Sequence, residues 1–410
     1  MQGKLLPNSR LLAIVAMLVM IASCNKAFTQ APDEDYLAGC ASVLKGDYGK
    51  AVESFSSAIL HNNADERLFI KRGESLLNLK DFEGALNDFM EANAIYPGVA
   101  DLWLARCYAL SGDTENAITF LTSHLKSEFR LPADSIKKDL VFDQLQTTPE
   151  WYTLWQHEWY NEEEKVVAEF QYFRKKKLFE EAGALLTSEM NKSSENKVLF
   201  ALRGKLSLDQ ENYAASIVDF STALNLDRNF MTVYPQRAVA YYKAGRFKDA
   251  VSDFTKAIRN DPAGFHLYLQ RAEAYAGMQS WEPAIKDMLF YLKYFESNQQ
   301  ALHQCGEYYY ESGDYINALK CFNRNLKDDS NNSNYYKSRG KTYLKTATYR
   351  YAISDLSMSL DLNPDDAETW MFLGIAKLQS GDRENGCSDL EKARKMGESR
   401  SLKYIIENCQ

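Results

Sequence analysis

With 410 residues the chain has room for two or three ordinary domains or for one long repeat array. A hydrophobic content of 45% and an aromatic content of 13% exclude a disordered chain. A net charge of −8 without a basic stripe argues against nucleic-acid binding, because phosphate contacts need clustered Lys and Arg.

Residues 1–23 read as a removable export signal. Lys4 and Arg10 make a short positive start, and Leu11 to Ala22 is an uninterrupted apolar run of twelve. A membrane-spanning helix needs about 20 apolar residues, so a run this short is the core of a signal peptide. It closes with Ile21-Ala22-Ser23-Cys24, which resembles a bacterial lipobox: an aliphatic residue, two small ones, then the cysteine that carries the lipid. The resemblance implies cleavage before Cys24, a lipid anchor on it, and a place in the cell envelope as an outer-membrane lipoprotein or a periplasmic protein. Asn25 stands where enteric bacteria place Asp to retain lipoproteins in the inner membrane, which favours the outer one. Cleavage without lipidation would leave a soluble exported chain. Residues 24–35, ending in Pro32-Asp33-Glu34-Asp35, show no apolar periodicity and read as the lipidated tether.

From residue 36 the chain repeats itself. Gly39 and Gly73, Ala51 and Ala85, Phe55 and Phe89, Ala58 and Ala92 are each 34 apart. A third unit, with Ala105, Tyr108, Gly112 and Ala117, is two residues short and ends an N-terminal array at 36–126. The period returns after 165. Small residues recur at Gly204, Ala238, Ala272, Gly306, Gly340 and Gly374, in steps of 34. Twelve residues behind run Ala250, Ala284, Ala318, Ala352 and Gly386. Large residues keep the same period at Phe200, Tyr234, Tyr268, Leu302, Tyr336 and Trp370, and again at Phe220, Phe254, Met288, Phe322, Leu356 and Leu390.

Each period reads as two helices. Tyr234, Ala238, Tyr241 and Tyr242 form a one-sided helical stripe, Gly245-Arg246-Phe247 breaks it, and Ala250, Phe254, Ala257 and Ile258 form a second. Small residues at the crossing let the helices approach while large ones fill the space beside them. One such hairpin cannot bury both faces, so hairpins must stack.

Ala-Val-Ser-Asp-Phe-Thr-Lys-Ala-Ile-Arg-Asn-Asp-Pro at 250–262 resembles the second helix and exit of the tetratricopeptide-repeat (TPR) family. The resemblance implies an all-α fold: a TPR superhelical solenoid of helix-turn-helix repeats, in two arrays separated by a non-repeat helical segment. The second array, at 165–398, would hold about seven units, the first degenerate around Phe170, Phe179 and Ala182, and residues 399–410 would cap it. The connector at 127–164 is Trp-rich. Its Asp139, Phe142, Leu145, Pro149 and Trp151 resemble a segment that closes TPR groups in bacterial proteins. Trp151, Trp155 and Trp159 fall at i, i+4 and i+8 and are expected on one helix face, packed under the end of one array or between the two. The competing expectation is an exposed aromatic platform.

Two positions change together along the repeats. Arg72, Arg203, Arg237, Arg271 and Arg339 are each followed 16 residues later by Asp88, Asp219, Asp253, Asp287 and Asp355. The two side chains should meet across the hairpin, as a partly exposed pair worth roughly 0.2–1 kcal/mol. In one unit both become cysteine, Cys305 and Cys321, so a disulfide is expected there in an oxidising compartment. Its short loop is worth roughly 3 kcal/mol in the loop-entropy model. A capping helix folding back would bring Cys387 to Cys409. Cys40 and Cys107, two units apart, should stay unpaired, and no CxxC spacing or Cys/His cluster suggests zinc.

No nucleophile elbow, phosphate loop, HExxH or carboxylate pair with a nearby base occurs, so no enzyme activity, cofactor or metal is expected. TPR analogy makes the helix-A side of the stack the working surface, lined by Tyr242, His266, Leu269, Glu273, His303, Glu307, Tyr310, Lys337, Lys341 and Lys345. His303 and Glu307 share a helix face that His266 could approach from the preceding unit. That surface mixes aromatic rings with both charges and suits envelope proteins or peptides as partners. The expected function is a non-enzymatic protein-protein interaction scaffold of the bacterial envelope. The alternative, a glycan- or nutrient-binding outer-membrane lipoprotein, requires the Trp151/Trp155/Trp159 face to be exposed.

Overall fold

The computed structural model describes residues 33–193 and 195–409. Cys24, the lipobox and most of the tether lie outside them. The described residues hold 23 α-helices and two short 3₁₀ turns, with no strand. None of these helices is long and apolar enough to cross a membrane. Twenty of the helices pair as ten successive hairpins. The first three are Glu34–Lys45 with Tyr48–His61, Glu66–Asn78 with Phe82–Ile95, and Asp101–Ser111 with Thr114–Lys126. Four more follow: Glu162–Lys175 with Phe179–Lys192, Lys197–Asp209 with Tyr213–Leu226, Val233–Lys243 with Phe247–Asn260, and Phe265–Gly277 with Trp281–Tyr294. The last three are Gln299–Ser312 with Tyr315–Asp328, Ser333–Lys345 with Tyr349–Leu362, and Ala367–Gln379 with Arg383–Lys395. The chain forms two compact units, one reaching to Leu267 and one starting at Tyr268.

One turn serves every hairpin. Its central residue is left-handed: Gly46, Lys80, Gly112, Lys177, Glu211, Gly245, Gln279, Gly313, Ala347 and Gly381 all have φ between 55° and 92°. The next backbone N–H donates to the carbonyl five residues back, as Asp47 does to Ser42 and Thr348 to Tyr343, both at 2.9 Å. This satisfies carbonyls that the ending helix leaves open. In six hairpins the same residue caps the second helix: Asp47, Asp81, Asp113, Asn212, Asp314 and Asp382 accept a backbone N–H of its first turn.

The two ladders of small and large residues meet inside the hairpins. A Cβ placed on Gly39 would lie 2.5 Å from the Phe55 ring, and one on Gly306 2.5 Å from Phe322. Gly73 and Phe89 repeat the arrangement at 2.7 Å. The glycine lets the ring enter the space a side chain would fill, and Phe55, Phe89 and Phe322 are fully buried.

The arginine–aspartate pairs are formed in all five hairpins, by two parallel hydrogen bonds of 2.6–3.0 Å from Nε and Nη2. The pairs are partly exposed only on the arginine side, whose side chains keep 15–45% of their surface. The five aspartates are only 2–6% exposed, so removal of the arginine strands a buried carboxylate and costs far more than a surface pair is worth. Arg72, Arg237 and Arg339 also reach the preceding hairpin, donating from Nη1 to Ser56, Ser221 and Asn323. Each guanidinium stands over the ring three residues before it, from Arg72 over Phe69 to Arg339 over Tyr336. In the last hairpin Leu373 takes the arginine position, and Asp389 pairs with Lys377 at 2.6 Å instead.

The connector closes the third hairpin. Phe142, Leu145, Trp151 and Leu154 join Ala105, Ala117 and Leu121 in one core, with Trp155 and Trp159 partly buried against it. Arg106 holds Asp139 at 2.8 Å. The three tryptophans do not share one helix: Pro149–Gln156 stops before Trp159, and His157 is extended. Trp159 turns back and its Nε1 donates to the Leu154 carbonyl at 2.8 Å. At the other end, helix Ser401–Asn408 lays Tyr404 and Ile405 on the core of Met371, Ile375, Leu390 and Ala393. Cys387 and Cys409 form a disulfide there, with Cα atoms 5.7 Å apart.

Candidate binding groove

The first helices of consecutive hairpins put the same positions side by side. In the unit beginning at Tyr268, a row runs across three of them. Lys341 Nζ lies 5.3 Å from the Tyr310 ring and 5.4 Å from the Phe372 ring. Tyr310 leans on Tyr315 of its own hairpin at 5.8 Å, and burial followed by nearby Glu311 pushes its phenol up to about 12. Lys337 pairs with Asp366 at 3.0 Å and with Glu368 at 3.5 Å, and Glu368 also meets Arg400 at 3.0 Å. Lys345, further along the same helix, is exposed, as is Glu273, while Leu269 is half-buried.

His303 bridges two hairpins. Its Nε2 meets Ser338 Oγ at 2.9 Å and Glu307 Oε1 at 3.6 Å, and its ring packs 5.1 Å from Tyr335. Burial lowers its pKa, with Glu307 pulling the other way, so the ring is neutral at pH 7. Serine, histidine and carboxylate thus occur together, but both partners face the same ring nitrogen. A carboxylate that orients a general base must hold the other nitrogen. Ser338 is also 5% exposed, out of reach of a substrate. Among the described residues, no group of three or more His, Cys, Asp or Glu side chains could hold a metal ion.

In the unit ending at Leu267, Tyr242 is half-buried, its ring tilted against Phe247 at 5.7 Å. His266 is exposed, and partial desolvation of its ring lowers its pKa, against the pull of Asp261. The repeat comparison missed Phe372, Tyr335 and Ser338. It aligned residues 34 apart, whereas neighbours across adjacent hairpins are 31 apart (Tyr310 to Lys341, Lys341 to Phe372) or 35 apart (His303 to Ser338).

Cys305 and Cys321, expected as a disulfide, are free thiols packed in one core of their hairpin. Cys305 is fully buried, and Cys321 is partly exposed. Cys40 and Cys107 are buried and free, each pushed up to about 12 by burial.

Residues 236–289 match the family model of the tetratricopeptide repeat. RNA polymerase II-associated protein 3 of Xenopus tropicalis is 29% identical over 87 residues, 21% of this chain and 13% of that protein. The same protein of Xenopus laevis is 28% identical over the same shares. The chain therefore spans only a small part of the curated relatives it matches. A tetratricopeptide repeat protein from Parabacteroides merdae superposes with a TM-score of 0.43 at 20% identity, over 60% of this chain and 97% of that one. The C-terminal part of a TPR repeat-containing protein from Cytophaga hutchinsonii gives 0.49 at 13% identity, over 58% and 98%. Ten hairpins sharing one turn, and the match over 236–289, make the fold that of a tetratricopeptide-repeat protein.

Proposed function

We propose that the chain is a non-enzymatic protein-protein interaction scaffold of the bacterial cell envelope, held by a lipid on Cys24 and binding partner proteins or peptides along its helix-A row. The observation that carries this reading is the Tyr310–Lys341–Phe372 row with exposed Lys345 at its side. Rings flanking a cation offer an extended or helical peptide both apolar contact and charge recognition. The alternative, glycan binding on a tryptophan face, lacks its platform: Trp151 is 6% exposed, and Trp155 and Trp159 pack on the same core.

Crosslinking in the native host, with partners identified by mass spectrometry, tests the proposal when Cys24→Ala and Lys341→Glu/Lys345→Glu chains are run beside the wild type. The expected result is a set of envelope proteins on the wild type, lost from the charge-reversed chain while it stays in the membrane fraction. Cys24→Ala should leave that fraction. Partners retained undiminished by the charge-reversed chain would remove the groove from the proposal. A Cys24→Ala chain still in the membrane fraction would remove the anchor.

A further inference from the structure

In five hairpins the clamp has four parts: arginine, aspartate sixteen residues later, a ring three residues before the arginine, and a position on the preceding helix, sixteen residues before it, such as the bonded Ser56, Ser221 and Asn323. In the hairpin Gln299–Ser312/Tyr315–Asp328 all four change together. Cys305 and Cys321 replace the ion pair, Leu302 replaces the ring, and Leu289 replaces the polar acceptor. A single loss of arginine would strand a buried carboxylate. Here the whole arrangement is gone and two free thiols packed in one core stand in its place.

We propose that Cys305 and Cys321 are a thiol–disulfide site, oxidised to an intrachain bond by small disulfides of the glutathione class and reopened by the corresponding thiols. Burial sets the order of events. Cys305 is fully buried and beyond the reach of an external disulfide, whereas Cys321 is partly exposed. The neighbouring Cys305 thiol, together with Arg324, favours the Cys321 thiolate against its burial. The Cys321 thiolate attacks one sulfur of the oxidant, whose S–S bond breaks and releases one thiolate. Cys305 then attacks Cys321 Sγ in the mixed disulfide, forming the intrachain bond and expelling the second thiolate. The two cysteine protons end on the two released thiols, and two electrons pass from the cysteine pair to the oxidant. Oxidation ties together the two helices of the hairpin that carries His303, Glu307 and Tyr310.

Trypsin separates the two cysteines, because Lys320 lies between them: residues 294–320 hold Cys305 and residues 321–324 hold Cys321. The full chain is incubated folded with oxidised glutathione, alkylated and digested without reduction. The expected product is the two peptides joined, two hydrogens lighter than their sum, and separated again by reduced glutathione. Cys305→Ser should trap a glutathione adduct on Cys321. In Cys321→Ser, Cys305 should react at least about tenfold more slowly than Cys321 does in the first variant. Alkylation of both cysteines in the treated wild type overturns the site. So do equal rates in the two variants, which would mean an order of attack that burial does not set. The wild-type arm decides even if a variant fails to fold.

Discussion

Arg237 and Asp253 stand sixteen residues apart and meet across their hairpin through two parallel hydrogen bonds of 2.7 and 3.0 Å, while a third N–H of the same arginine reaches Ser221 of the hairpin before it at 3.0 Å. One guanidinium therefore fixes both the register within a hairpin and its seat on its neighbour. Asp253 is 2% exposed, so Arg237→Ala should destabilise the array by about 3–5 kcal/mol. Arg237→Leu/Asp253→Leu, which leaves no lone charge, should recover most of that loss. Urea denaturation of the three chains measures it. A single variant costing less than about 1 kcal/mol would mean that the pair behaves as a solvated one.

Period, hairpin and clamp were legible because each rests on identity at a fixed spacing: arginine and aspartate vary together, and glycine faces phenylalanine. The hairpin turn was half hidden. Glycine marks it at Gly46, Gly112, Gly245, Gly313 and Gly381, but Lys80, Lys177, Glu211, Gln279 and Ala347 adopt the same left-handed backbone with nothing in their chemistry to announce it. The burial of the aspartates was not legible either, since it arises from stacking between hairpins, which composition within one hairpin does not report. The groove was read as ten separate positions. The contacts seen there join different positions of adjacent hairpins, Lys341 between Tyr310 and Phe372, and that offset is set by how helices stack rather than by the repeat length. The tryptophan stripe failed for a local reason: the helix ends at Gln156, so periodicity beyond it has no meaning.

Ala347 gives a direct test of the turn. Its φ of 55° places Cβ against its own backbone, a strain of roughly 1–2 kcal/mol that glycine lacks. Glycine's larger loss of freedom on folding offsets part of the gain. Ala347→Gly should therefore raise the stability of the array by about 0.5–1 kcal/mol, and Gly313→Ala, at φ 85°, should lower it by a similar amount. Thermal melts of the two variants should move in opposite directions; a shift of both downward would show that the turn does not control them.

His124 should make the closure of the first three hairpins sensitive to acid. Its Nε2 accepts the Leu131 N–H at 3.0 Å in a buried site. Burial first, and Arg106 second, bring its pKa from 6.5 down to about 4. The unfolded segment thus binds a proton that the folded one refuses. Stability is fully present above pH 6.5, falls as the pH drops toward 4, and levels off below, for a total of about 3 kcal/mol. Hydrogen exchange over residues 124–160, corrected for intrinsic rates, should quicken between pH 7 and 4.5. His124→Gln can still accept from Leu131 and should flatten that dependence. Equal acid sensitivity in both chains would assign it to other groups.

The C-terminal cap should depend on its disulfide more than on its own helix. Ser401–Asn408 is eight residues long, too short to hold helical structure alone. Its inward contacts are Tyr404, Ile405 and Cys409 on the core of the last hairpin, aided by Arg383 Nε donating to the Asn408 carbonyl at 2.6 Å. The Cys387–Cys409 bond spans 22 residues, a loop worth about 3 kcal/mol in the chain-entropy account. That exceeds what two half-buried side chains supply against the backbone entropy of eight residues. Cys409→Ser should then release residues 401–408, seen as loss of hydrogen-exchange protection in that helix. Exchange at Ser333–Lys345 should hold, because each hairpin is stabilised mainly by its immediate neighbours. If residues 401–408 stay as protected in Cys409→Ser as in the wild type, apolar packing on Leu390 and Met371 is enough to keep the cap in place, and the disulfide adds nothing to its stability.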